Sequence, residues 1–431
     1  MTAGYPADRW YVEKGIDTER TVVMAPGTTL PAPRLIATEG LDGLYQALVA
    51  EGYHVIGPAV QDGAIVPREL CSAAELPFGW SVRLEPGGYR LRRRDDQAAF
   101  GHSAGPQSWK RFLHPPRERL WSAARTPDGG FELADEGDDG EPPRYAFLGV
   151  RPCDLRAIAI QDRVLAQPGS RYAARRARLF IVAVNCTEPG ETCFCASMGT
   201  GPGADKGSAG FRGDGSSPAR GESIPPDPPG ETPRYDLALT EMLDEGGHRF
   251  LADVGSQRGA DVLARVPSEP ADEVTVRGAR SAVETAAGRM GRQMETGDLW
   301  ELMADSHQAA RWDDVAARCL TCGNCTMACP TCFCTAIEDT TDLTGDHAER
   351  WERWDSCFDL DFSYLHGGGV RKSAKSRYRQ WLTHKLGTWH DQFGSSGCVG
   401  CGRCIVWCPV GIDLTEEVKA LRAERDQREE S

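Results

Sequence analysis

Eight cysteines towards the C-terminal end fall into two runs, Cys319-Leu-Thr-Cys322-Gly-Asn-Cys325-Thr-Met-Ala-Cys329-Pro330 and Cys398-Val-Gly-Cys401-Gly-Arg-Cys404-Ile-Val-Trp-Cys408-Pro409. Both follow C-x2-C-x2-C-x3-C-P, a spacing in which three thiolates wrap one [4Fe-4S] cube and the turn carries the fourth to a second cube. The pattern assigns Cys319, Cys322, Cys325 and Cys408 to a first cluster, and Cys398, Cys401, Cys404 and Cys329 to a second. Iron at this redox state prefers soft thiolates, and four of them per cube leave one-electron exchange as the evident chemistry. Gly323, Gly400 and Gly402 let the backbone close on a cluster and aim amide N–H groups at its sulfides. Structural zinc is the competing occupant, because Cys-x2-Cys pairs also build zinc ribbons. Four cysteines per run with a proline behind the last are more than zinc needs.

A further set lies upstream. Tyr145 to Val150 and Leu179 to Val184 have the apolar character of buried strands, and Asp154 to Leu165 between them has helical spacing. Together they predict a β-α-β unit with a parallel strand pair. Cys153 and Cys186 follow the two strands, so both belong at the carboxyl edge of one sheet, where open α/β sheets place their sites. Cys193 and Cys195 are close enough along the chain to fold back onto them. These four thiols are candidates for a third iron-sulfur cluster, with a four-cysteine zinc site or ordinary buried thiols as alternatives.

Around these residues the spacing predicts a helix over Leu35 to Val49, strands at His54 to Val60, Ala64 to Val66, Tyr235 to Leu239 and Phe250 to Val254, and a helix starting near Ser256. Gly101 to Phe112 has no clear period and reads as a surface loop. Asp128 to Pro143 reads as a solvated acidic insertion, and Gly199 to about Arg234 as a Gly-, Pro- and Ser-rich insertion without enough apolar surface to order itself. Val283 to Ala317 reads as helical. The spacer of about seventy residues between the two cysteine runs also reads largely as helix. Within it, Arg371 to Leu386 is basic, either a solvated helix face or a docking surface or counter-charge for anionic clusters. Of the other cysteines, Cys71 and Cys357 are expected to serve packing. Thr331-Cys-Phe-Cys repeats Thr192-Cys-Phe-Cys and places Cys332 or Cys334 near a cluster.

The composition narrows the function classes. Sixteen cysteines without an N-terminal secretory pattern argue for metal ligation over a disulfide framework. A formal net charge of -14 disfavours nucleic acid as a partner. The apolar runs are too short to span a bilayer, and a cytoplasmic location is expected.

The two runs with their long spacer, Arg377-Tyr-Arg-Gln-Trp-Leu-Thr-His-Lys ahead of the second, and the upstream Gly149-Val-Arg-Pro-Cys-Asp and Asn185-Cys-Thr-Glu-Pro-Gly-Glu-Thr-Cys-Phe-Cys resemble one family. It is that of the beta subunits of soluble nickel-iron hydrogenases (sulfhydrogenases), similar to the A subunit of anaerobic sulfite reductase, and the resemblance runs from about Phe100 onward. It implies an electron-transfer subunit relaying between a flavin- and NAD(P)-binding partner and a nickel-iron hydrogenase or sulfite reductase catalytic subunit. Nickel, siroheme and complete nucleotide-binding motifs are not evident in the sequence, so no catalytic residue is assigned. A self-contained iron-sulfur oxidoreductase and a zinc-bearing interaction protein are the alternatives. The expected architecture is α+β. An N-terminal α/β domain with parallel strands spans 1–278, a helical linker 279–311, and a mainly α-helical two-[4Fe-4S] ferredoxin-type domain 312–431.

Overall fold

The computed structural model describes residues 30–103, 105–134, 141–204 and 235–430. Most of the expected disordered insertion after Gly199 lies outside the described residues, as do residues 135–140 of the acidic insertion.

A mixed eight-stranded sheet organises the N-terminal half. Its strand order is Glu269–Pro270, Arg34–Ala37, Gly247–Val254, Leu237–Asp244, Phe180–Val184, Tyr145–Val150, His54–Gln61 and Ala64–Glu69. The pairs from Leu237–Asp244 through to His54–Gln61 are parallel, and the outer pairs are antiparallel. Their apolar composition follows from burial on both faces: Phe180 to Val184 are all buried. One face packs on the helix Gly40–Ala50 through Leu41, Leu44 and Leu48. The other carries the helix Pro152–Leu165, with Leu155 and Ile158 against Phe147 and Ile181. That crossover helix makes the predicted β-α-β unit and sets Cys153 at the sheet's carboxyl edge.

Some local elements differ from the sequence expectations. Leu35 and Ile36 belong to a strand, and the helix starts only at Gly40, because Ile36 pairs in register with Phe250. Ser256 caps the next helix, Gln257–Leu263, by accepting from Gly259 N–H at 3.0 Å. Val283 to Ala317 is divided among Glu273–Ala287, Leu299–Asp305 and Arg311–Arg318. Gly101 to Phe112 is no surface loop: His102, Ser103, Trp109 and Lys110 are buried.

The largest departure concerns the spacer between the cysteine runs. Its first half is a β-hairpin, Thr335–Thr341 with His347–Trp354, and the helix Ala374–Thr383 starts only later. The second hairpin strand pairs with Arg117–Arg125, more than two hundred residues away in the chain, in a four-stranded sheet completed by Phe131–Ala134. A partner that remote leaves no local period in the sequence, which is why the segment reads as helix. The cluster region is therefore mixed α and β.

Two buried histidines, His114 against Trp354 and His102 against Phe100 and Arg151, make stability depend on pH. Burial, with Lys110 beside it, lowers His114 to about 4 from the usual 6.5. Burial and Arg151 hold His102 well below that usual value. Both are neutral in the fold, so between pH 6.5 and about 4 the unfolded chain binds protons that the folded chain does not. Their contribution is complete above pH 6.5 and is lost as the pH falls through that window. Urea midpoints are expected to drop across it, with a shallower drop for His114→Gln; equal slopes in the two proteins would refute the assignment.

Candidate iron-sulfur centres

The two cysteine runs share one backbone plan. In the first, the helix Arg311–Arg318 ends at Cys319, and Gly323 at φ 73° opens the short helix Asn324–Met327 that carries Cys325. In the second, Gly402 at φ 74° opens Arg403–Val406, which carries Cys404. A positive φ at these points suits a residue without Cβ and turns the third cysteine back towards the first two.

Cys319, Cys322 and Cys325 of the first run and Cys408 of the second line one apolar cavity, closed by Tyr378 and Trp381. The four thiols assigned to the first cluster are thus brought together from both runs. Cys404, assigned to the second set, borders the same cavity. Amide groups point at the sulfurs: Thr321 N–H donates to Cys319 Sγ at 3.4 Å and Ile412 N–H to Cys408 Sγ at 3.2 Å. Gly400 N–H donates to Cys398 Sγ at 3.4 Å.

The second set is more deeply placed. Cys329, Cys398 and Cys401 are buried. Burial pushes the Cys398 thiol up to about 12, against the pull of the Lys385 ammonium. It holds Cys404 well above the usual range, with Cys398, Cys401 and Cys329 as neighbours that raise it further. Cys329 goes the other way, because Cys332 donates a hydrogen bond to it and Lys385 adds its charge. Lys385 Nζ lies 3.3 Å from Cys329 Sγ and donates to Thr331 Oγ1 at 3.1 Å and Gly397 O at 3.2 Å. It sits on a π-helical turn, His384–Thr388, that continues Ala374–Thr383. Of the basic stretch, Arg377 and Lys385 are buried instead of forming a solvated face: Arg377 donates to the Asp359 and Leu360 carbonyls, and Lys385 stands beside Cys329.

The upstream thiols meet at the sheet edge as the β-α-β unit requires. Cys153, Cys193 and Cys195 are buried and Cys186 is half-buried. Burial raises Cys193 to about 12, with Cys186 adding to it. Cys195 is raised by burial and then by Cys186 and Cys193, and Cys153 by burial, Asp154 and Cys195. The loop holding Cys193 and Cys195 lies on the second run: Phe194 N–H donates to Gly400 O at 2.8 Å and Thr200 Oγ1 to Val399 O at 2.7 Å. A Cβ on Gly400 would stand 2.6 Å from Cys195 N, and one on Gly402 would stand 2.4 Å from Thr192 O. These two glycines therefore serve the approach of the upstream loop as well as their own turns.

An ion pair not foreseen from the sequence pins this contact. Arg403 makes a bidentate bond to Asp154 at 2.8 and 2.9 Å, with both side chains 3% exposed. The signal lay in the positions: Asp154 adjoins Cys153, and Arg403 stands between Cys401 and Cys404. Cys71, expected in packing, is exposed, and Cys332, Cys334 and Cys357 are half-buried.

Among the described residues, no three Cys, His, Asp or Glu side chains are grouped as a single-ion site. The buried soft donors and inward amides around an apolar cavity fit a multi-iron cluster.

Residues 318–412 match the family described as a 4Fe-4S dicluster domain, which together with a sulfhydrogenase relative makes this an iron-sulfur electron-transfer protein. The chain is similar to sulfhydrogenase 2 subunit beta of Pyrococcus furiosus, at 29% identity over 323 residues, 74% of this chain and 82% of the relative. The resemblance to the hydrogenase beta subunits thus extends well beyond the dicluster domain. No solved structure matches the chain. Among the described residues, no helix is long and apolar enough to cross a membrane.

Proposed function

We propose that this chain is the cytoplasmic electron-relay subunit of a hydrogenase-type complex. Cys319, Cys322, Cys325 and Cys408 hold one [4Fe-4S] cluster, and Cys398, Cys401, Cys404 and Cys329 hold a second. Cys153, Cys186, Cys193 and Cys195 hold a third at the sheet edge. When bound, these groups supply one-electron exchange. The chain's own residues fix the sulfurs, exclude water and donate N–H bonds to ligand sulfur, which stabilises the more reduced charge state. In this proposal 1–278 carries one end of the relay and 312–431 the other, connected by 279–311 and also by the four-stranded sheet in which Arg117–Arg125 pairs with His347–Trp354.

The observation that carries the reading is the convergence of thiols from both runs on one apolar cavity. Contact between the second run and the Cys193 to Cys195 loop extends the path towards the N-terminal sheet. The proposed partners, a flavin- and NAD(P)-binding subunit on one side and a nickel-iron hydrogenase or sulfite reductase subunit on the other, are those the family resemblance implies; similarity to a sulfhydrogenase beta subunit supports a hydrogenase-type assembly.

The purified chain should accept electrons from a strong reductant yet turn over neither hydrogen nor sulfite. In the assembled complex, Cys401→Ser should abolish nicotinamide-linked turnover while the catalytic partner keeps its activity with an artificial dye. Full nicotinamide-linked turnover by a complex lacking this chain would overturn the proposal.

A further inference from the structure

Arg151 brings a permanent positive charge to the sheet edge. It stands between the strand Tyr145–Val150 and the helix Pro152–Leu165, two residues before Cys153, and is 6% exposed. A guanidinium keeps its proton throughout the pH range in which proteins fold, so burial cannot neutralise it as it can a lysine or a histidine.

The contacts around Arg151 fix that charge without cancelling it. Nη2 donates to the carbonyls of Phe100 at 2.5 Å and His102 at 2.6 Å, and Nη1 donates to Asn185 O at 3.4 Å. All three acceptors are neutral. The Phe100 ring centroid lies 5.9 Å from the guanidinium carbon. This clamp gives a reason for the burial of His102 in a stretch without sequence period: its backbone turns carbonyls onto the cation. Among the described residues, no carboxylate forms an ion pair with Arg151. Asp154, the nearest in sequence, is engaged bidentately by Arg403, and Glu188, two residues beyond Cys186, is engaged by Arg94.

The thiols supply the counter-charge. Burial raises the Cys186 thiol, and Arg151, which hydrogen-bonds it, pulls the other way. Cys186 in turn acts on Cys193 and Cys195. A cube ligated by four thiolates is an anion in both redox states and gains one more negative charge when it takes up an electron. A cation buried beside it, away from the screening of water, stabilises the reduced state more than the oxidised one.

We propose that Arg151 sets the potential of the cluster held by Cys153, Cys186, Cys193 and Cys195: its guanidinium is the buried counter-ion of that cluster, bonds the Cys186 sulfur and favours the state with the added electron. The step is a one-electron transfer from a neighbouring centre of the relay, in which no bond forms or breaks. The inference rests on the reading of these four cysteines as cluster ligands.

The test uses the full chain, loaded anaerobically with iron and sulfide, and follows its EPR signals through a redox titration with dithionite. Cys193→Ser identifies the upstream signal as the one it loses. Arg151→Gln keeps an N–H donor for the clamping carbonyls and removes the charge. Its upstream signal is expected at lower potential, with the reduced-to-oxidised ratio at a fixed potential down about tenfold, equivalent to about 59 mV for one electron. Arg151→Lys keeps the charge and is expected to recover most of that fall. In both variants the signal that Cys398→Ser loses stays at its wild-type potential. An upstream signal that does not move in Arg151→Gln overturns the proposal, as does one displaced equally in Arg151→Lys. Should Arg151→Gln fail to take up the upstream irons, Arg151→Lys decides: loading near the wild-type potential supports the role of the charge, whereas failure of both variants to load assigns Arg151 a purely structural part and overturns it. Unchanged iron and signals in Cys193→Ser would defeat the reading of the upstream cysteines themselves, a result distinct from an upstream signal that is present but indifferent to Arg151.

Discussion

Cys329→Ala is expected to strip about four irons from the loaded chain, and to take them from the cluster of the other run. In the sequence Cys329 follows Cys325 closely, and a simple count would group it with Cys319, Cys322 and Cys325. The structure separates it from them. Cys408, from the second run, joins those three around the apolar cavity, while Cys329 lies among the charges acting on Cys398, Cys401 and Cys404. The alanine variant should therefore lose the EPR signal that Cys398→Ala loses and keep the one that Cys319→Ala loses. Cys408→Ala should show the reverse. The loss is sharpened because Lys385 then keeps its charge with one sulfur fewer beside it. Iron analysis and spectra of the four variants decide the matter; a Cys329→Ala protein lacking only the Cys319-dependent signal would rule out crossed ligation.

How much of this was legible in the sequence depended on how local the signal was. The cysteine runs were, because thiolate spacing and the αL glycines are properties of a dozen consecutive residues. The β-α-β unit was also legible, since its buried strands are short apolar runs joined by one crossover, and the position of Cys153 and Cys186 followed from chain direction alone. The hairpin between the runs was not. Its strand His347–Trp354 alternates Arg, Glu and Trp and is organised by Arg117–Arg125, a partner that only the folded chain supplies. Lys110 was hidden for the same reason: its neighbours in sequence are polar and aromatic without a period, and its burial comes from Cys332 and Trp354. Lys385 was partly visible, as one cation in a basic stretch, but its inward direction depends on the π-helical turn.

Asp154→Ala is expected to cost about 3–5 kcal/mol, because it leaves the Arg403 guanidinium buried without its anion. Arg403 is 3% exposed and its remaining acceptor is the Gly105 carbonyl at 3.2 Å. The same change should loosen the seat of Cys153, one residue away, and thereby the contact between the sheet edge and the second cysteine run. Iron held by Cys153, Cys186, Cys193 and Cys195 should then be lost sooner under a chelator than iron held by the eight downstream cysteines. Converting both partners, in Asp154→Leu with Arg403→Met, removes both charges together and should recover much of the stability, since the desolvation cost of the pair disappears with its attraction. Denaturant unfolding of wild type, each single variant and the double variant closes the cycle. A single-variant loss below about 1 kcal/mol would place the pair among weak surface contacts and remove it as the clamp between the two halves. A large single loss that the double variant reverses, with chelator-sensitive iron restored alongside, identifies a charge pair whose work is to hold the upstream thiols against the second run.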